Sequence, residues 1–246
     1  EKDWKQYPVI RLDMSRGGAN EDTLRSYLNL RFKDYEEKYN ITPDPTAMLA
    51  DRFHAIIATA YKQTGLRVAV LIDEYDSPLQ HSWRTPDHEK CTGVYREVFA
   101  ILKADDEYEQ FVFITGITKF TQISLFSVLN NLTYISFMPE YAAICGITEE
   151  EIEENFMPEL KKMSEANGWS VQETHDRLKA YYDGYHFSRR NMVDVYNPYS
   201  LVNALKSKEI INFWASSGAT SLLPKFVDNI ELRLGNYEKC SVMRNT

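Results

Sequence analysis

The sequence predicts an α/β protein: a parallel sheet with helices on both faces, followed by a mostly helical second part. Three observations carry this. Short aliphatic segments of strand length alternate with longer segments of helical period from Tyr7 to about residue 145. One of them, Leu66 to Ile72, is almost continuously aliphatic, broken only by Arg67, as in central parallel strands covered on both faces. Beyond residue 145, helix-capping signals replace strand-like runs.

Tyr7-Pro-Val-Ile-Arg-Leu-Asp-Met14 reads as a short strand that ends in the turn-rich Ser15-Arg-Gly-Gly-Ala-Asn20. Asn20 or Asp22 caps a helix whose Leu24, Tyr27, Leu28 and Phe32 share one face. Pro43 and Pro45 interrupt, Thr46 opens a second helix through Leu49, Phe53, Ile56, Ile57 and Ala60, and Gly65 follows its end. After the Leu66–Ile72 strand comes a helix from about Asp87 to Lys103 with Cys91, Val94, Tyr95, Val98, Phe99 and Leu102 on one face. Phe111 to Thr115 is expected as a second buried strand and Leu132 to Phe137 as a further one. The expected core thus spans 1–145. In the remainder, 146–246, Thr148-Glu-Glu-Glu151 and Ser170-Val-Gln-Glu173 are capping boxes opening helices, and Asn197-Pro198 starts another. Tyr185–Phe187 and Val193–Tyr196 are spaced to pair as a hairpin.

The chain of 246 residues has 28 Lys plus Arg against 36 Asp plus Glu, a formal charge of −8. That balance argues against nucleic-acid binding through bulk charge, though a local basic groove stays open. Cys91, Cys145 and Cys240 form neither a disulfide framework nor a C-x-x-C motif, which fits a reducing cytoplasm. Phe120 to Pro139 carries no charge, but eight of its twenty side chains are polar, too many for hydrocarbon, so no membrane span is expected. The first residues show no signal peptide, and the missing Met leads to the expectation of a piece of a longer protein.

The chemistry concentrates at Val68-Ala-Val-Leu-Ile-Asp-Glu-Tyr-Asp76. An aliphatic strand that delivers two adjacent carboxylates at its C-terminal tip is the Walker B arrangement. There the first acid holds Mg²⁺, usually through water, and the second polarises the attacking water; Asp73 and Glu74 stand in those two places. The bland alternative, an Asp-Glu pair in a solvated turn, carries about even odds on the bare pattern. The next strand, Phe111-Val-Phe-Ile-Thr115-Gly-Ile-Thr118-Lys119, ends in hydroxyls and a lysine. Thr115 fits a γ-phosphate sensor, with Thr118 and Lys119 on the same rim. By themselves these three read as a satisfied loop and a solvated lysine. Scattered histidines, an E-x-K match at Glu36-Glu37-Lys38 and the aromatic cluster Tyr181, Tyr182, Tyr185, Phe187, Tyr196 and Tyr199 are explained by solvation and core packing.

Taken with Ser124-Leu-Phe-Ser127, Leu129-Asn-Asn-Leu132, Cys145-Gly146, Tyr182-Asp-Gly-Tyr185 and Tyr196-Asn-Pro198, these segments resemble the AAA-ATPase-like family over most of the chain. The resemblance implies a P-loop NTPase-like fold using ATP and Mg²⁺, with Asp73 as the metal acid and Glu74 as the catalytic acid. It also implies a restriction-endonuclease-like domain as a C-terminal partner. Where the family commonly has Arg after Tyr-Asp-Gly-Tyr, this chain has His186, and Arg189 and Arg190 are the nearby basic candidates for nucleotide contact.

None of the ten glycines is followed by Lys, so G-x-x-x-x-G-K-[ST] is absent from these residues. In the family that loop and its strand precede the segment matching Tyr7–Asp13, so the chain alone is expected not to hold ATP tightly. Three functional readings follow: an ATPase module complete in the intact parent, a non-catalytic NTPase-shaped scaffold, and the motor of a nucleic-acid-processing system. The oligomeric state is not encoded in any of these motifs.

Overall fold

The computed structural model describes residues 5–117, 131–188, 190 and 193–213. Two compact units divide the chain, Glu1–Leu132 and Thr133–Thr246. The division thus falls at Leu132, upstream of the boundary expected near residue 145.

In the first unit, strand β1 (Val9–Asp13) leads through a single 3₁₀ turn to helix α1 (Glu21–Lys38). Asn20 caps α1 by accepting from the Thr23 N–H at 2.9 Å. Helix α2 (Leu49–Thr64) starts three residues after Thr46, whose hydroxyl is spent on Asp44 at 2.7 Å. It ends on Gly65 at φ +66°, a left-handed position that suits glycine. Strand β2 (Val68–Asp73) follows, then the short helix α3 (Ser77–Ser82), helix α4 (His88–Phe99), the single turn α5 (Ile101–Ala104) and strand β3 (Glu109–Ile114). The single helix expected over 87–103 is therefore split at Ala100.

The three strands are parallel in the order β1-β2-β3, with Arg11 opposite Leu71, Asp13 opposite Asp73 and Ile72 opposite Ile114. Ile10, Leu12, Val68, Val70 and Ile72 on one face are buried in a single cluster with Leu24, Leu28, Phe32, Phe53, Ile56, Val94 and Phe99 from α1, α2 and α4. Stacked Phe32 and Phe53 rings, 5.2 Å apart, bind α1 to α2. The opposite face carries Val9, Arg11, Ala69, Leu71, Phe111 and Phe113, and none of these is buried.

The expectation of helices on both faces is corrected here: among the described residues the helices cover one. Both crossovers step the same way across the sheet, and since parallel crossovers are as a rule right-handed, α1–α2 and α3–α4 land on the same side, packed into one cluster. Strand β2 accordingly alternates buried and half-buried residues, although its sequence is continuously aliphatic. Strand β3 lies at the edge of the three-stranded sheet, and Phe111 is 54% exposed, so the expected buried strand there is also corrected. Leu132–Phe137 forms no strand; it is irregular chain entering a turn.

The second unit contains helices α6 (Glu149–Asn155), α7 (Met157–Asn167), α8 (Val171–Tyr182) and α9 (Pro198–Ser207). Thr148 and Glu151 form the expected reciprocal capping box. The apolar series Ile152, Phe156, Leu160 and Met163 runs over two helices, because Pro158 opens α7 and lacks the N–H an uninterrupted helix needs. Ser170 and Asn197 accept from the N–H groups of Glu173 and Ser200 at 3.0 and 2.9 Å. Ile152, Leu160, Met163, Leu178, Tyr182, Tyr196, Leu201 and Leu205 form the core. Tyr185 and Val195 make an antiparallel bridge, the expected hairpin in its shortest form, while Tyr196 pairs with Ile147. Among the described residues no helix is long and apolar enough to cross a membrane.

Candidate functional site

The parallel register brings the C-terminal ends of the strands together, and ligands of open α/β sheets bind at that edge. Asp13 and Asp73 are register partners at the tips of β1 and β2. Beyond β3, the Thr115 N–H donates to the Ile72 carbonyl at 2.8 Å, and the Tyr75 N–H donates to the Thr115 carbonyl at 2.9 Å. Thr115 thus sits beside Asp73. Its hydroxyl donates to Asp73 Oδ1 at 2.5 Å and accepts from the Glu74 N–H at 3.4 Å.

Glu74 adopts φ +47°, an unusual left-handed conformation for a residue with a side chain. Its exposed carboxylate forms no hydrogen bond or ion pair among the described residues. The next peptide, Tyr75–Asp76, is held by the buried Tyr95 hydroxyl, which donates to the Tyr75 carbonyl. Burial raises the Tyr95 pKa well above its ordinary value, so this phenol stays a neutral donor. Asp76 is buried; its carboxylate accepts from Gln80 Nε2 at 2.6 Å and from the Ile117 N–H at 3.3 Å, tying α3 to the chain beyond β3.

Gly116 is required by close approach rather than by its dihedral angles. A Cβ there would lie 2.5 Å from the Tyr75 ring and 2.6 Å from Asp76 Oδ1. Gly116→Ala therefore pushes the loop off the Asp73–Glu74 turn, with an expected loss of roughly 1–3 kcal/mol of stability measurable by urea unfolding. An unchanged midpoint would show that the loop gives way freely.

One contributor is not legible in the sequence. Arg11, a lone charge within an aliphatic strand, reaches two residues along the register, and its Nη2 lies 3.3 Å from Asp73 Oδ2. The only signal was the alternation that puts Arg11 and Asp13 on one face of β1. Asp13 itself is engaged locally, accepting from the Ser15 hydroxyl at 2.6 Å. Among the described residues no three His, Cys, Asp or Glu side chains converge to hold a metal. The Asp73 carboxylate is the one the Thr115 hydroxyl contacts. The Asp73 side chain is half-exposed.

Of the residues expected at the site, the structure brings Asp73, Glu74 and Thr115 together. Thr118, Lys119 and Arg189 lie outside the described residues, as does the Ser124–Ser127 motif. Arg190 belongs to the second unit, is exposed, and donates its N–H to the Ser188 hydroxyl at 3.2 Å. The expected aromatic cluster divides there: Tyr182 and Tyr196 are core, whereas Tyr181, Tyr185 and Tyr199 are exposed. In that unit Glu149 accepts from the Tyr196 hydroxyl at 2.9 Å and from Lys179 Nζ at 3.2 Å, and it pairs with His175. Burial pushes the Glu149 pKa up, but these donors outweigh it and hold the carboxylate below its ordinary value. The network joins α6 to α8 and to the Tyr196 bridge.

Comparison with known proteins adds three findings. A family model described as a predicted AAA-ATPase, of the AAA-ATPase-like family, matches residues 1–126. An uncharacterised protein encoded in the vnfD 5′ region of Azotobacter chroococcum mcd 1 is 31% identical over 226 residues, which is 90% of this chain and 41% of the relative. The chain thus spans less than half the length of that relative. No solved structure matches. The matched residues include all three strands and the turn from Asp73 to Tyr75 with its Thr115 anchor, and the chain belongs to the AAA-ATPase-like family.

Proposed function

We propose that the tip of β2 is the metal and water-activating end of a P-loop NTPase-like module that, in the intact protein, hydrolyses ATP with Mg²⁺ to drive a conformational change. The observation that carries this reading is the coupling of the two acids through one residue. Thr115 orients the Asp73 carboxylate with its hydroxyl and pins the Glu74–Tyr75 peptides, leaving the Glu74 carboxylate exposed and uncommitted. Bound Mg²⁺ supplies Lewis acidity that neutralises charge on the transferring phosphoryl oxygens. Asp73 keeps one oxygen on Thr115 and offers the other to the metal's water shell. Glu74 accepts a proton from, or orients, the attacking water. Thr118, Lys119, Arg189 and Arg190 are further nucleotide-contact candidates in this proposal, and a C-terminal nuclease-like domain and nucleic acid are its proposed partners.

The test is ATP hydrolysis by the full-length protein. Asp73→Ala is expected to abolish Mg²⁺-dependent turnover, a loss of at least about 100-fold. Unchanged turnover sinks the assignment. If calorimetry detects no binding of ATP·Mg²⁺ by the full-length protein, the non-catalytic scaffold reading replaces it.

A further inference from the structure

We propose that Arg11 is a placeholder cation for Asp73, holding the carboxylate until a divalent ion displaces it. This rests on the metal role given to Asp73 above. Both carboxylate oxygens are occupied: Oδ1 accepts from the Thr115 hydroxyl at 2.5 Å, and Oδ2 faces Arg11 Nη2 at 3.3 Å. The two partners differ in kind. Thr115 is fixed by backbone hydrogen bonds to Ile72 and Tyr75, is neutral, and leaves the carboxylate its charge. Arg11 neutralises that charge, and its side chain is 64% exposed on the face of the sheet that carries no helix among the described residues.

A divalent ion recruits a carboxylate oxygen directly or through a bound water, and the Oδ2 lone pairs accommodate either that shell or a guanidinium. The ion and Arg11 therefore compete for one oxygen, and the incoming positive charge also repels the guanidinium. An exposed ion pair is a weak competitor, worth only a few-fold in an equilibrium constant, so Arg11 delays loading without blocking it. Its backbone is anchored independently of the side chain, through the Tyr35 hydroxyl that accepts from the Arg11 N–H at 2.6 Å. Substitution of the side chain thus leaves β1 intact.

The experiment titrates Mn²⁺ into the nucleotide-free full chain and follows free ion by electron spin resonance. Arg11→Met is expected to tighten Mn²⁺ binding about three- to tenfold, and Arg11→Lys, which keeps the charge, to stay close to wild type. Asp73→Asn is expected to lose the binding. If Arg11→Met leaves affinity unchanged or weakens it while Asp73→Asn still loses it, the placeholder role is overturned and the metal role of Asp73 stands. If Asp73→Asn binds Mn²⁺ like wild type, the metal role itself fails and the placeholder role with it.

Discussion

Glu74→Gln is expected to lower Mg²⁺-dependent ATP turnover of the full-length protein by about 10²–10⁴-fold while leaving ATP binding essentially unchanged. The substitution preserves the shape of the side chain and its place in the turn, and removes only the ability to accept a proton. Its backbone, at φ +47° and bonded to the Thr115 hydroxyl, is independent of the carboxylate, so the turn that positions Asp73 survives. That separates this variant from Asp73→Ala, which removes the metal anchor itself. Single-turnover hydrolysis beside equilibrium nucleotide binding distinguishes the two. Wild-type turnover with Gln at this position would remove Glu74 from the chemistry, and loss of nucleotide binding would show that it serves as a ligand instead.

Glu109→Gln is expected to stabilise the chain, with an effect that grows from about pH 4.5 to about pH 8 and stays constant above. Glu109 opens β3, is buried, and its Oε1 has no hydrogen-bond partner among the described residues. Burial, then the charges of Asp105 and Asp106, push its pKa from 4.5 to about 8. The folded state therefore keeps its proton between those values while the unfolded state releases its own. Stability falls where the unfolded state binds fewer protons, so the wild type loses stability from about pH 4.5 to pH 8 and is flat above. The shift corresponds to a loss on the order of 5 kcal/mol, absent from the Gln variant. Urea midpoints of the two proteins should diverge from pH 5 to about pH 8 and then run parallel to pH 9; profiles parallel throughout would mean that the carboxylate finds solvent or a partner. Nearby Asp105, also pushed up by burial, keeps His54 Nδ1 at 2.8 Å and is common to both proteins.

The element types were largely legible because they depend on short-range periodicity. Leu24, Tyr27, Leu28 and Phe32 lie on the buried face of α1 as their spacing requires, and Asn20, Thr148, Ser170 and Asn197 cap the helices they precede. Boundaries set by competition were less legible. Thr46 satisfies Asp44 rather than capping α2, and Pro158 divides α6 from α7. Leu132–Phe137 has strand composition yet forms no ladder, because β propensity reflects packing against neighbours rather than a backbone preference. Composition likewise said nothing about which sheet face is covered, since a continuous aliphatic run looks the same under one layer of helices or two.

By itself, the sequence determined that an aliphatic strand ends in Asp73 and Glu74 and that Thr115 ends another, since those facts need only local order along the chain. Tertiary structure alone decided that the two tips meet, through a parallel register that sets Asp73 beside Thr115 across 42 residues of sequence. It also decided that Arg11 reaches the same carboxylate and that Gly116 must be bare to let Tyr75 and Asp76 close beneath it. Hydrogen-bond reach and close contact depend on where distant segments are brought in space, and no periodicity along the chain encodes that distance.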